Sequence, residues 1–107
     1  MRVDAKPLSV NEVWRGRRFK TPSYKAYEIE VMLKLRPLTL PEKPYKLVLE
    51  FGLSNMQADW DNPIKPFVDI LQKKYGFNDR DIYEAEVKKV KTAKGEEYIE
   101  FDLQGIP

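Results

Sequence analysis

Apolar and polar residues alternate most cleanly between residues 45 and 53, where Tyr45, Leu47, Leu49, Phe51 and Leu53 fall on every second position. A period of two over that length predicts a strand with one buried face. Further on, Ile64, Phe67, Val68 and Leu71 repeat at helical spacing and predict a helix over 63–74. Asn62 is placed to cap that helix and Pro63 to take its first position. Lys73 and Lys74 fall in its last turn, and Gly76 ends it. Residues 23–36 carry two patterns at once. Tyr27, Ile29, Val31, Leu33 and Leu35 alternate, while Tyr24, Tyr27, Val31 and Leu35 form a helical stripe. Ser23 after Pro22 as a start and Arg36-Pro37 as a stop tilt the reading to helix. Pro37, Pro41 and Pro44 make the next segment a loop, and residues 7–23, with their Pro, Ser and Arg, read as loop as well. Residues 81–91 and 96–103 read as two strands joined in a hairpin around T-A-K-G-E. The expected order is helix, strand, helix, strand, strand: an α+β fold in a single small domain over 1–107, with one sheet.

Composition narrows the chemistry. The chain has no Cys and no His, which removes disulfide scaffolds, His-dependent nucleophile activation and the usual zinc sites. Any hydrolytic chemistry then falls to carboxylates, lysine and a hard cation such as Mg²⁺. No apolar run approaches a membrane span, and the first residues, M-R-V-D-A-K-P, do not read as a signal peptide, so a cytoplasmic protein with no membrane role is expected. The net charge of +2 is small, but it is unevenly spread. Arg2, Lys6, Arg15, Arg17, Arg18, Lys20 and Lys25 face only Asp4 and Glu12 in residues 1–25, whereas five aspartates fall between 59 and 81. A basic arm beside an acidic cluster suits a protein that grips a polyanion while holding cations.

The acidic cluster reads A-D-W-D-N-P-I-K-P-F-V-D, followed by N-D-R-D-I. In an extended segment Asp59 and Asp61 would point to one side and Trp60 to the other. Two carboxylates so placed are a mount for Mg²⁺, and the helix start after Asn62 would direct free N–H groups at a phosphate. Lys65 stands in the first helical turn, where a cation is disfavoured by about 0.3–1 kcal/mol. A local rule broken beside an acid cluster points to function. Lys65 is suited to neutralise charge on a phosphate, with Asp69 one turn on to hold it.

The run D-x-D-N-x-x-K-x-x-x-D, with the acidic turn after it, resembles the RusA-type Holliday junction resolvases. Segments P-L-S-V-N-E-V-W-R and K-K-V-K-T-A-K-G-E-E-Y-I-E-F resemble the ends of the same family. These are small endodeoxyribonucleases common in phages and prophages. The resemblance implies catalytic Asp59, Asp61, Lys65 and Asp79, with the three aspartates as metal ligands and Asn62 and Asp69 in support. The family often has two adjacent acids where this chain has Asn78-Asp79-Arg80-Asp81, so Asp81 is an alternative third ligand by register. It further implies a homodimer with helices packed around a mixed sheet. The implied activity is Mg²⁺-dependent hydrolysis, with Mn²⁺ able to substitute, resolving four-way DNA junctions by paired symmetric nicks in recombination and repair. Arg15, Arg17, Arg18 and Lys20, with Lys88, Lys89 and Lys91, are expected to grip DNA phosphates. Trp14, Phe19 and Trp60 are candidates to stack on bases, with a core or interface role the stronger expectation for each. The rival expectations are a branched-DNA-binding protein without catalysis, and an interaction module that does not bind nucleic acid at all.

Overall fold

A computed structural model describes residues 1–9, 14–15 and 19–107, with 14–15 and 19–20 described in backbone only. The elements are β1 (Arg2–Val3), β2 (Trp14–Arg15), β3 (Phe19–Lys20), α1 (Pro22–Lys34), β4 (Tyr45–Leu53), α2 (Ile64–Tyr75), a single 3₁₀ turn (Asp79–Asp81), β5 (Ile82–Lys91) and β6 (Tyr98–Gly105). The main sheet has the order β1-β6-β4-β5, and β2 and β3 form a separate antiparallel pair. The fold is thus α+β, one small domain with two helices and a four-stranded mixed sheet. Among the described residues no helix is long and apolar enough to cross a membrane.

β4 is the central strand, and its alternation is the reason. Tyr45, Leu47, Leu49, Phe51 and Leu53 are all buried and face the helices, as expected. Burial also settles the double pattern of α1. Tyr24, Tyr27, Val31 and Leu35 are buried, while Ile29 and Leu33 remain 62% and 81% exposed. The helical stripe is the core and the alternation is incidental. Its cap is Thr21, whose hydroxyl accepts from the Tyr24 amide at 3.1 Å, rather than Ser23. Leu35 is already extended, so the helix stops ahead of the Arg36-Pro37 signal. In α2, Pro66, Phe67, Val68, Ile70 and Leu71 are buried. The Phe67 ring meets Phe51 and Phe101 edge-on at centroid distances of 6.3 and 5.6 Å, joining helix to sheet. Gly76 ends the helix in the left-handed conformation at φ 75°, as its position predicted.

Three further expectations are corrected. Residues 7–23 are not all loop, since Arg15 of β2 pairs with Phe19 of β3 and α1 begins at Pro22; ahead of them, β1 pairs with the edge of β6 through Val3 and Ile99. The last two long strands are not a hairpin. β5 runs parallel to β4 on one side, and β6 runs antiparallel to β4 on the other. The segment around T-A-K-G-E therefore crosses the end of β4. Gly52 permits the crossing, because a Cβ there would lie 2.3 Å from the Tyr98 ring. Third, Asn62 does not cap α2. Pro63 occupies the cap position, and among the described residues no side chain makes a cap hydrogen bond there.

Candidate functional site

The helices cover one face of the sheet unevenly. Leu47 is flanked by Leu103 on β6 and Ala85 on β5, and Leu49 by Phe101 and Val87. Leu103 and Phe101 are buried, Val87 is half-buried and Ala85 is exposed. α2 thus seals the β6 flank and leaves a cleft of about 750 Å³ over the β5 flank. Its floor is apolar, made by Leu47, Leu49, Ile64, Val68, Ile82, Ala85 and Val87. Trp60, Asp61, Lys65 and Asp79 complete its wall. Three of the four residues singled out for catalysis therefore share one opening, although they come from a loop, a helix and the turn before β5.

Lys65 is the hub of the polar group. Its ammonium lies 2.9 Å from Asp69 Oδ1 and 3.5 Å from Asp79 Oδ2. The hydrogen bond to Asp69, helped by the charges of Asp69 and Asp79, raises the Lys65 pKa above its ordinary value against a modest opposing effect of burial. Lys65 is consequently a fixed cation at neutral pH, able to supply charge but unable to accept a proton. Gln72 ties the two acids together from below. Its side chain donates to Asp69 Oδ1 at 3.5 Å and accepts from the Asp79 amide at 2.9 Å. Asp79 and Asp81 are held by different partners. Asp81 is more enclosed and turns to Lys43, with Oδ2 3.5 Å from Nζ and no hydrogen bond to that oxygen among the described residues.

The loop carrying the first two acids departs from the extended form expected of it. Residues 60–63 form a turn closed by Asn62 N–H to the Asp59 carbonyl at 3.3 Å and Ile64 N–H to the Asp61 carbonyl at 3.1 Å. Neighbours one apart no longer alternate, so Trp60 and Asp61 both line the cleft. Asp59 is exposed and is not part of the cleft wall. Asn62 faces another hollow, shared with Lys6, Ser54, Ala58 and Glu97. The turn also weakens the helix terminus as a phosphate cradle. The Ile64 amide is used by Asp61 and Pro66 has none, which leaves only the Lys65 amide in the first three helical positions.

Among the described residues no three acidic side chains are gathered closely enough to hold a metal ion. The donor set in the cleft is Asp61 and Asp79, and hard carboxylate oxygens at an open mouth fit Mg²⁺ or Mn²⁺ that keeps waters and takes further ligands from a phosphate. It does not fit a closed three-aspartate cage.

The remaining DNA-binding candidates scatter. Arg17 and Arg18 lie outside the described residues, and Arg15 and Lys20 are described in backbone alone. Lys88 sits on the sheet face away from the helices, beside Glu50 and Glu86 in a shallow hollow that also includes Glu100 and Asp102. That surface repels a polyanion. Lys89 and Lys91 are engaged within the protein: Lys89 Nζ donates to the carbonyls of Met56 and Ala58, and Lys91 Nζ to that of Ser54. The sequence carries no signal for this internal use, which depends on strand pairing. Trp60 is 58% exposed at the cleft, so it is not a core residue.

The chain matches no protein-family model and no curated protein.

Proposed function

We propose that this protein is a metal-dependent endodeoxyribonuclease acting on branched DNA, with four-way junctions as its substrate, as the resemblance to RusA-type resolvases implies. The observation that carries the reading is the meeting of Asp61, Lys65 and Asp79 at one open cleft beside an exposed aromatic, Trp60.

Asp61 and Asp79 would hold Mg²⁺ or Mn²⁺, with Asp59 as a third ligand on the strength of the resemblance alone. The ion would supply an activated water and charge stabilisation at phosphorus. The chain's own residues have distinct tasks. Lys65 presents a permanent positive charge to the phosphodiester as negative charge grows on its oxygens. Asp69 holds the Lys65 ammonium in place at 2.9 Å, and Gln72 fixes Asp69 and the Asp79 backbone relative to each other. Trp60 offers a flat apolar face to a base unstacked at the branch point. Two equivalent cuts at a junction require two sites, which a two-fold homodimer would provide.

The test is cleavage of a labelled four-way junction and a linear duplex of matching sequence in Mg²⁺ and in Mn²⁺, with Asp61→Asn as control. Paired nicks confined to the junction and lost in the variant are the expected result. That no three-acid group is gathered among the described residues favours one other reading, a branched-DNA-binding protein without catalysis. Junction binding with no nick in either metal would select that reading. Failure to bind the junction would eliminate both.

A further inference from the structure

The backbone ladder between β4 and β5 does not stop at the end of β4. After the Thr92 amide donates to the Leu53 carbonyl at 2.9 Å, β5 side chains take over the next carbonyls along the departing loop. Lys91 Nζ donates to Ser54 O, and Lys89 Nζ donates to Met56 O at 3.1 Å and to Ala58 O at 2.8 Å. Ala58 immediately precedes Asp59. On the other side of the acids, the Asp61 carbonyl is held by the Ile64 amide at the start of α2. Residues 59–61 are thus suspended between a lysine anchor on β5 and a helix anchor on α2.

An ammonium has three donors, and a surface lysine ordinarily leaves them to water. Lys89 instead spends two on neutral backbone oxygens, in a half-buried position. The contacts reach no apolar core residue. They hold the loop that leads into the acids, and they bring a cation to a segment whose next residues are anionic.

We infer that Lys89, assisted by Lys91, is a positioning residue that fixes the 54–58 segment and through it sets Asp61 against Lys65 and Asp79. It acts through the loop backbone and not by touching DNA. The inference rests on the nuclease reading for its functional consequence, but the bracing itself does not.

The experiment compares wild type with Lys89→Met and Lys89→Arg. It uses calorimetric titration with Mn²⁺ alone, amide hydrogen exchange over 54–58, and junction affinity without divalent metal at several salt concentrations. In Lys89→Met, Mn²⁺ affinity is expected to fall by about 10–100-fold, the usual effect of removing a group that orients a ligand. Exchange over 54–58 should accelerate, the thermal midpoint should hardly move, and metal-free junction affinity should be unchanged. Lys89→Arg, which retains donors, should recover much of the metal affinity. Unchanged Mn²⁺ affinity in Lys89→Met would overturn the positioning role while leaving the nuclease reading intact. So would a weaker junction affinity with a salt slope reduced by about one, the mark of a lost phosphate contact. If wild type itself binds no Mn²⁺, the nuclease reading fails, and hydrogen exchange alone decides the brace: faster exchange in Lys89→Met keeps it, unchanged exchange removes it.

Discussion

The two flanks of β4 are built on the same template and finished differently. On the β6 side, Phe101 and Leu103 pair with Leu49 and Leu47 and disappear under the helices. On the β5 side the same two leucines pair with Val87 and Ala85, which α2 does not reach fully. The sealed flank supplies apolar burial, worth roughly 25 cal/mol per Å² removed from water. The open flank forgoes part of that burial and presents an apolar floor ringed by Asp61, Lys65 and Asp79. Stability and candidate chemistry are therefore divided between two sides of one strand, and substitutions on either side should affect different observables.

The largest effect is expected on the sealed flank. Phe101→Ala removes a ring that is 3% exposed and packs on Phe67 and Tyr75, and should cost about 3–5 kcal/mol in denaturant unfolding. Lys65→Met on the open flank should leave that unfolding curve nearly in place, while lowering junction cleavage by about 10²–10³-fold, the effect typical of losing one charge-stabilising group. A Lys65→Met protein that unfolds as readily as Phe101→Ala would erase the division between the flanks.

At intermediate size, Gly76→Ala forces a side chain into a left-handed position at φ 75° and should cost about 1–2 kcal/mol. The same chain reversal leads into the turn that delivers Asp79, so cleavage should fall together with stability. The pH dependence of Lys65 is subtler. Its pKa is raised in the folded state, so its contribution is fully present below the ordinary lysine value of about 10.4 and is lost only as pH climbs through the higher folded value. The stability difference between wild type and Lys65→Met should be flat from pH 7 to about 9 and shrink at more alkaline pH. A difference that changes near neutrality would mean another group is responsible. Smallest of all, Ala85→Ser at the exposed β5 position should shift stability by no more than about 0.5 kcal/mol.

How much of this was legible beforehand depended on whether the deciding partner was local. The β4 alternation, the α2 stripe and the Gly76 stop are local patterns, and the structure follows them. The double pattern in α1 required knowledge of which face meets the sheet, because Ile29 and Leu33 are apolar yet exposed. The expected hairpin failed for a related reason. T-A-K-G-E has turn chemistry, but turn chemistry does not reveal that β4 lies between the two strands. At the site, Asp61, Lys65 and Asp79 stood out by type and spacing and share the cleft. The orientation of Asp59 and Trp60 did not follow, because Pro63 and the Asp59–Asn62 and Asp61–Ile64 bonds close a turn where an extended segment was expected. The internal use of Lys89 and Lys91 was the least visible, since a lysine that binds phosphate and one that binds a carbonyl look the same in a sequence.

Four-way junction cleavage by Asp61→Asn, Asp79→Asn and Asp81→Asn, measured beside wild type in Mg²⁺, tests the central claim most directly. Wild type should nick the junction, Asp61→Asn and Asp79→Asn should lose that activity, and Asp81→Asn, altered at the carboxylate beside Lys43, should retain it. Loss in Asp81→Asn with activity kept in Asp79→Asn, or full activity in all three, would contradict the assignment of chemistry to the open flank.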